Sequence, residues 1–279
     1  ALLQQLNISR ATVVTPLMFQ YTLLERAGAQ KKHIVLPEGL DDRIIRATAT
    51  LLSRNTVDVT LLGDESQIRS RASELGLDIS SARIISPTDP TLVERFSEEY
   101  AALRAHKGVT AEAAREIVSD VSYFGTMMVH LGLVDGMVSG AAHTTAHTIT
   151  PSFEIIKTAP GVSIVSSVFL MCLADRVLVY GDCAIVPDPS AEQLADIAVS
   201  ATATARLMGI EPRVAMLSYS TGESGSGADV DKVRQATALV REREPDLLLD
   251  GPIQYDAAIV PSVAEAKMPG SALGGDATV

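Results

Sequence analysis

Apolar positions along this chain follow two alternating rhythms. Short runs of aliphatic and β-branched residues, such as HIVL at 33–36 and VDVTLL at 57–62, are separated by longer segments whose apolar residues return every three or four positions. Pro37-Glu38-Gly39 stops the first strand, and Asp41 and Asp42 open a helix to Leu52. A strand over 57–62, a helix over 66–75, a strand over 82–86 and a charged helix from Pro90 to about 105 follow. One long helix is predicted over 110–132, then a buried strand over 134–138. Strand and helix alternate, as in a parallel sheet with helices on its faces.

Beyond residue 148 the apolar runs lengthen. VSIVSSVFLMCL at 162–173 is rich in β-branched residues, and 176–180 reads as a strand paired near it. Ser190-Ala191-Glu192-Gln193 is a capping box for a helix to Met208, closed by Gly209. A strand over 214–218 feeds the loop STGESGSG at 220–227, and a helix over 230–242 follows. A strand over 246–250 ends at Gly251-Pro252, 257–267 is helical, and a last strand lies at 277–279. The expected organisation is a lead-in over 1–31 with an amphipathic segment at 16–29, a first α/β domain over 32–148 and a second over 149–279.

Composition narrows the class. Hydrophobic residues make up 47% of 279, aromatics only 4% and Trp is absent, so the core is one of Ala, Val, Leu and Ile. A net charge of −11 argues against nucleic acid or an anionic membrane as partner and makes any anion site depend on local donors. Cys172 and Cys183 have no CxxC spacing and read as free thiols of a reducing compartment, with Cys172 an inert core residue. No targeting segment or bilayer-length apolar run is visible, which gives a cytoplasmic expectation. A start at Ala1 and an apolar ending at Ala277-Thr278-Val279 give the expectation of a piece of a longer protein.

Three loops follow strand ends, at 38–43, 139–145 and 220–227, where ligands gather in open α/β sheets. The stretch VDGMVSGAAHTTAHTITPSFEIIKTAPG at 134–161 runs from a strand through Ser139 and Gly140 into a helix, presenting backbone N–H groups to an anion or forming an ordinary βα turn. STGESGSG matches neither dinucleotide nor Walker patterns. Arg104, in LRAHKG at 103–108, either complements a helix dipole or clamps a phosphate. His143 and His147 share a helix face but lack a third ligand nearby, so no metal site is expected. A hydrolase nucleophile elbow GxSxG is also absent.

VLPEG at 35–39, LRAHKG at 103–108, VDGMVSGAAHTTAHT at 134–148, VYGDCAIVPDPSAEQLADIA at 179–198, AMLSYSTGESGSGADVDKVR at 215–234 and PDLLLDGPIQYDAAIVP at 245–261 together resemble the phosphate acetyltransferase (phosphotransacetylase) family, and more distantly the phosphate butyryltransferases. The resemblance covers essentially the whole chain, with TPLMFQYTLLERA at 15–27 similar to the segment joining extra N-terminal domains to the catalytic region of the long form. It implies two three-layer α/β/α domains around a cleft, similar to the isocitrate and isopropylmalate dehydrogenases, in a homodimer or larger homo-oligomer. It implies transfer of an acetyl group between CoA and inorganic phosphate through acetyl phosphate, with CoA a substrate and no cofactor. An Asp takes the thiol proton, and a Ser-Arg pair stabilises the developing charge.

The resemblance implies substrate-binding roles for Arg104, Ser139, Gly140, Thr144, Thr145, Ser220, Thr221 and Arg43. The family's Ser-Arg and Asp belong to an NDLSRG-type segment past the strand that includes 277–279, so catalytic residues stay unassigned. A first domain lacking its return segment and impaired turnover are expected in consequence. Thr150 stands where the family pattern T-[IV]-R-P has Arg, which removes a charged donor. A non-catalytic CoA- or acyl-phosphate-binding or assembly module, and an enzyme like the phosphate butyryltransferases, are the alternatives. Dehydrogenase chemistry lacks its metal-binding acidic constellation.

Overall fold

The computed structural model describes residues 13–279; the first part of the lead-in, 1–12, lies outside them. The chain divides into two compact units, Leu24–Lys157 and Thr158–Val279, the second taking the described lead-in residues up to Leu23. Ile155 is buried with Phe96, Phe124 and Met127 in the core of the first unit.

In the first unit, strands β1 (Lys32–Leu36), β2 (Val57–Leu62), β3 (Arg83–Ile85) and β4 (Gly136–Met137) form a parallel sheet in the order β3-β2-β1-β4. Ile34 stands opposite both Val59 and Gly136. Helices α2 (Asp42–Ser53), α3 (Glu65–Glu74) and α4 (Pro90–Leu103) start on the carboxylates of Asp41, Asp64 and Asp89, which accept from first-turn N–H groups. Strand alternation sends neighbours to opposite faces: Leu61 packs with Ile45 and Ile68, whereas Leu62 packs with Phe96 and Met127. Phe96 and Phe124 meet edge to face at 4.8 Å. This is the expected α/β layering.

Two expectations change here. The long helix over 110–132 is broken into α5 (Ala111–Val118) and α6 (Val121–His130), since Asp120 turns out of the helix and caps the second piece through the N–H groups of Ser122 and Tyr123. The strand expected over 134–138 pairs only at β4, and Val138 is exposed. Helix α7 (Thr145–Pro151) then widens into a π turn over Ser152–Ile156.

In the second unit, β5 (Val168–Cys172) and β6 (Val177–Gly181) pair antiparallel, while β7 (Arg213–Leu217) and β8 (Leu248–Ile253) pair parallel. The final residues join the pairs: the Val179 N–H donates to Thr278 O, the Thr278 N–H to Arg213 O and the Ala215 N–H to Val279 O. The last strand expected at 277–279 therefore supplies ladder bonds to β6 and β7. Helix α8 (Ala191–Leu207) has the Ser190/Gln193 capping box, and α9 (Ala228–Arg243) packs beside it. Phe19 of α1 (Pro16–Ala29) is buried with Val177, Val179, Ala205 and Ile210.

Other differences are local. Of the run at 162–173 only 168–172 is strand, and Cys172 is exposed rather than in the core. Strand β8 continues through Gly251-Pro252 to Ile253. The segment at 257–267 is two helices, α10 (Tyr255–Ile259) and α11 (Pro261–Lys267), because Pro261 forces Val260 into extended backbone. Among the described residues no helix is long and apolar enough to cross a membrane.

Gly39, in the turn after β1, sits against the next strand. A Cβ there would lie 2.5 Å from the carbonyl oxygen of Leu62 and 2.8 Å from Cδ1 of Ile68. Backbone cannot retreat cheaply, so Gly39→Ala is expected to destabilise the unit by about 1–3 kcal/mol, read as a lowered urea midpoint. An unchanged midpoint would mean that the turn does not press on β2.

Candidate functional site

Neighbouring parallel strands β1 and β4 deliver two loops to the same sheet edge. From the first, Glu38 extends a buried carboxylate beneath the second. One oxygen accepts from the N–H groups of Gly140 (3.1 Å) and Ala141 (2.7 Å). The other accepts from those of Ala142 (2.6 Å) and His143 (2.9 Å), and the His143 ring Nδ1 lies 2.9 Å away. Gly140 at φ 111° adopts backbone that a side chain resists, which lets four successive N–H groups turn to one point. Burial pushes the Glu38 carboxyl upward, but bonds from Ala142, Ala141 and His143 outweigh it and bring it from the usual 4.5 to about 2.

The anion nest read from the sequence thus exists, and an internal carboxylate fills it. The loop presents other groups outward. Thr144 and Thr145 are exposed, with Thr144 Oγ1 capping the N–H of His147. The half-buried Ser139 hydroxyl accepts from Thr148 at 3.3 Å.

His143 and His147 stack at 4.5 Å with rings 13° apart. His147 reaches Asp120 Oδ2 through Nε2 (2.9 Å) and the Ser122 hydroxyl through Nδ1 (3.0 Å). The order Asp-His-Ser has the connectivity of a hydrolase relay, but Ser122 is 0% exposed and cannot meet a substrate carbonyl. The two hydrogen bonds of His147 fix α7 to the start of α6.

The basic candidates are also engaged. Arg43 forks onto Asp41 at 2.9 and 2.7 Å and donates to Ala141 O, linking the 38–43 loop to the 139–145 loop. Arg104 donates to Glu154 Oε1 at 3.0 Å. Glu154 comes from the π turn, and its Oε2 accepts from the hydroxyls of Tyr100 (2.7 Å) and Tyr123 (3.0 Å). Burial and then the Glu154 carboxylate push the Tyr123 phenol up to about 12. Thr150 is exposed and turns its hydroxyl back to Ala146 O at 2.7 Å.

Ser220 and Thr221 belong to the second unit and are buried. Their hydroxyls meet Ser224 Oγ at 3.1 Å and Gln254 Oε1 at 3.3 Å, holding the β7 loop together. That unit repeats the carboxylate device. Asp182 accepts from the Ser167 hydroxyl and from the N–H groups of Ser167, Ala184, Ile185 and Val186; the hydroxyl first and then the N–H groups hold it at about 2 against burial.

Arg104, Arg43, Ser139, Gly140, Thr144 and Thr145 therefore all lie in the first unit, whereas Ser220 and Thr221 do not. Sequence reasoning missed Glu38, Asp120 and Glu154. The available signal for Glu38 was a carboxylate directly after a buried strand, and for Glu154 a lone charge between apolar residues at 151–156.

The family profile described as "Phosphate acetyl/butaryl transferase" matches residues 18–279. A phosphate acetyltransferase of Synechocystis sp. is 58% identical over 280 aligned positions, which take in 100% of this chain and 40% of the relative. One of Corynebacterium glutamicum is 56% identical, over 94% of this chain and 80% of the relative. The crystal structure of a phosphotransacetylase from Streptococcus pyogenes superposes with TM-score 0.87 at 42% identity, covering 95% of this chain and 80% of that one. The chain spans well under half the length of the Synechocystis protein.

Because Glu38 holds its loop only as a carboxylate, its contribution depends on pH. With the folded value depressed, the stabilisation is fully present above about pH 4.5 and is lost as pH falls toward 2. Glu38→Gln puts an amide NH2 against N–H donors and is expected to cost about 1–3 kcal/mol near neutral pH. The gap between wild type and variant should narrow from pH 4.5 downward, and amide exchange at 140–143 should quicken in the variant. A gap independent of pH would remove the carboxylate from this role.

Proposed function

The chain belongs to the phosphate acetyl/butaryl transferase family, and from that premise we propose that it acts in phosphate acetyltransferase chemistry, acetyl-CoA + phosphate = acetyl phosphate + CoA. The observation that carries the reading is the hydroxyl-bearing loop at 139–145, set by Glu38 at the carboxyl edge of a parallel sheet. In the direction of acetyl-CoA synthesis the CoA thiolate attacks the acetyl carbonyl carbon. A C–S bond forms, the bond from that carbon to the phosphate oxygen breaks, and phosphate leaves with the electron pair. A thiol proton is lost in the process.

Residues of this chain bind and orient the anionic ends in this reading. Ser139, Thr144 and Thr145 offer hydroxyl donors, while Arg104 and Arg43 offer guanidinium edges. In the second unit, Ser220 and Thr221 shape the loop after β7 as a binding loop of its own. No residue here is assigned the proton transfer. CoA is a substrate, and no cofactor is required. The reading extends to a homo-oligomer in the cytoplasm, consistent with the free thiols of Cys172 and Cys183.

Thioester formation from acetyl phosphate and CoA tests the proposal directly, followed at the absorbance of acetyl-CoA. Arg104→Gln is expected to raise a KM by about tenfold through loss of a charge-assisted contact. Thr150→Arg should lower the KM for acetyl phosphate by about three- to tenfold, because it adds a cation beside the loop. An absence of thioester formation, together with no binding of CoA, would sink the reading. Binding of CoA without turnover would favour a non-catalytic binding module.

A further inference from the structure

Arg104 and Glu154 are more than an ordinary surface pair. Their side chains are 18% and 23% exposed, and the N···O distance is 3.0 Å. Glu154 is also clamped from its other side by the Tyr100 and Tyr123 hydroxyls, whose rings meet edge to face at 5.7 Å and 84°. The Arg104 Nε is buried and has no hydrogen-bond partner among the described residues. The carboxylate is therefore fixed by three side chains, while the guanidinium it neutralises keeps a donor unused.

We propose that Glu154 sets the affinity of Arg104 for phosphate-bearing ligands: the clamped carboxylate occupies the guanidinium, and an incoming phosphate binds by competing with it. The inference rests on reading Arg104 as a ligand residue. Its physical basis is that two anions cannot each have the full charge of one cation. A carboxylate held by two phenols cannot swing away without leaving both hydroxyls without their acceptor. Affinity at Arg104 is then the difference between two ion pairs, and the internal one is unusually well built. Glu154 is a positioning and affinity residue in this scheme; it touches no reacting atom.

Calorimetric titration of the chain with inorganic phosphate and separately with CoA tests it. Glu154→Gln keeps an oxygen acceptor for the tyrosines while removing the charge, and should tighten binding of at least one ligand about tenfold. The gain should vanish in the Arg104→Gln/Glu154→Gln double variant. Thermal unfolding checks that each variant is folded. Should Glu154→Gln fail that check, the Tyr100→Phe/Tyr123→Phe pair releases the clamp and should still tighten binding, by a smaller factor. Unchanged or weaker binding in the folded variant overturns the proposal. If Arg104→Gln alone weakens CoA binding while Glu154→Gln does nothing, only the role of Glu154 falls and the proposed function stands. If the tightening appears but thioester formation does not, Glu154 keeps its role and the proposed reaction falls.

Discussion

The contact between the Glu38 carboxylate and four successive N–H groups of the 140–143 loop is the constraint on which the first unit's site depends. It follows from topology. Parallel strands β1 and β4 are neighbours, so their carboxyl ends open at one edge, and residues 102–105 apart in sequence become hydrogen-bond partners. A loop of Ser, Gly and Ala has little side-chain packing of its own. Its donors would be left turned inward without acceptors if the carboxylate were missing, and each unmet buried donor costs about 1–3 kcal/mol. The exposed hydroxyls of Thr144 and Thr145 therefore have defined positions because of a residue that lies beneath them.

The same economy recurs. Asp182 gathers the N–H groups of the loop after β6, Asp120 turns the chain into α6 while holding His147, and Glu154 holds Arg104. A chain with net charge −11 has acidic groups to spare, and here several of them serve as internal acceptors for irregular backbone. At Glu38 and at Asp182 burial pushes the carboxyl upward. Hydrogen bonds keep it charged, as the depressed values of Glu38 and Asp182 record. The loops are held together by charge-assisted hydrogen bonds, and their low content of bulky apolar residues is no contradiction.

Periodicity was sufficient to read most of the architecture. Strand β2 and the capped start of α8 lie where alternation and the Ser190 capping box put them. It was insufficient where a single polar side chain overrides a pattern. Apolar spacing continues through 110–132, yet Asp120 captures two N–H groups and breaks the helix. Loop 139–145 was legible as a donor nest from its small residues and its place after a strand. Its occupant was not, because the partner is remote in sequence and local pattern has no term for strand adjacency. Arg104 stood out by its motif, whereas Glu154 showed only as a lone charge among apolar residues, its placement depending on a π turn that no short-range signal encodes.

Electrostatics at long range and at short range then pull in opposite directions. The proposed ligands, phosphate, acetyl phosphate and CoA, are anions, and the chain's net charge of −11 repels them. Screening confines that repulsion to about 8 Å at physiological ionic strength, so binding is decided by the groups in contact. Both candidate guanidiniums already have an internal anion: Arg43 is paired with Asp41 and Arg104 with Glu154, while Thr150 contributes a neutral hydroxyl. Where one partner is open to water, as the Arg43 side chain is beside Asp41, exchange is cheaper because water compensates the separated cation. The Arg104–Glu154 pair is largely withdrawn from water on both sides and cannot be exchanged on those terms. On the proposed reading an anion gains most from donors that need not be taken from an internal partner, such as the hydroxyls of Thr144 and Thr145, and the guanidinium of Arg104 adds to affinity only by the margin over its own carboxylate.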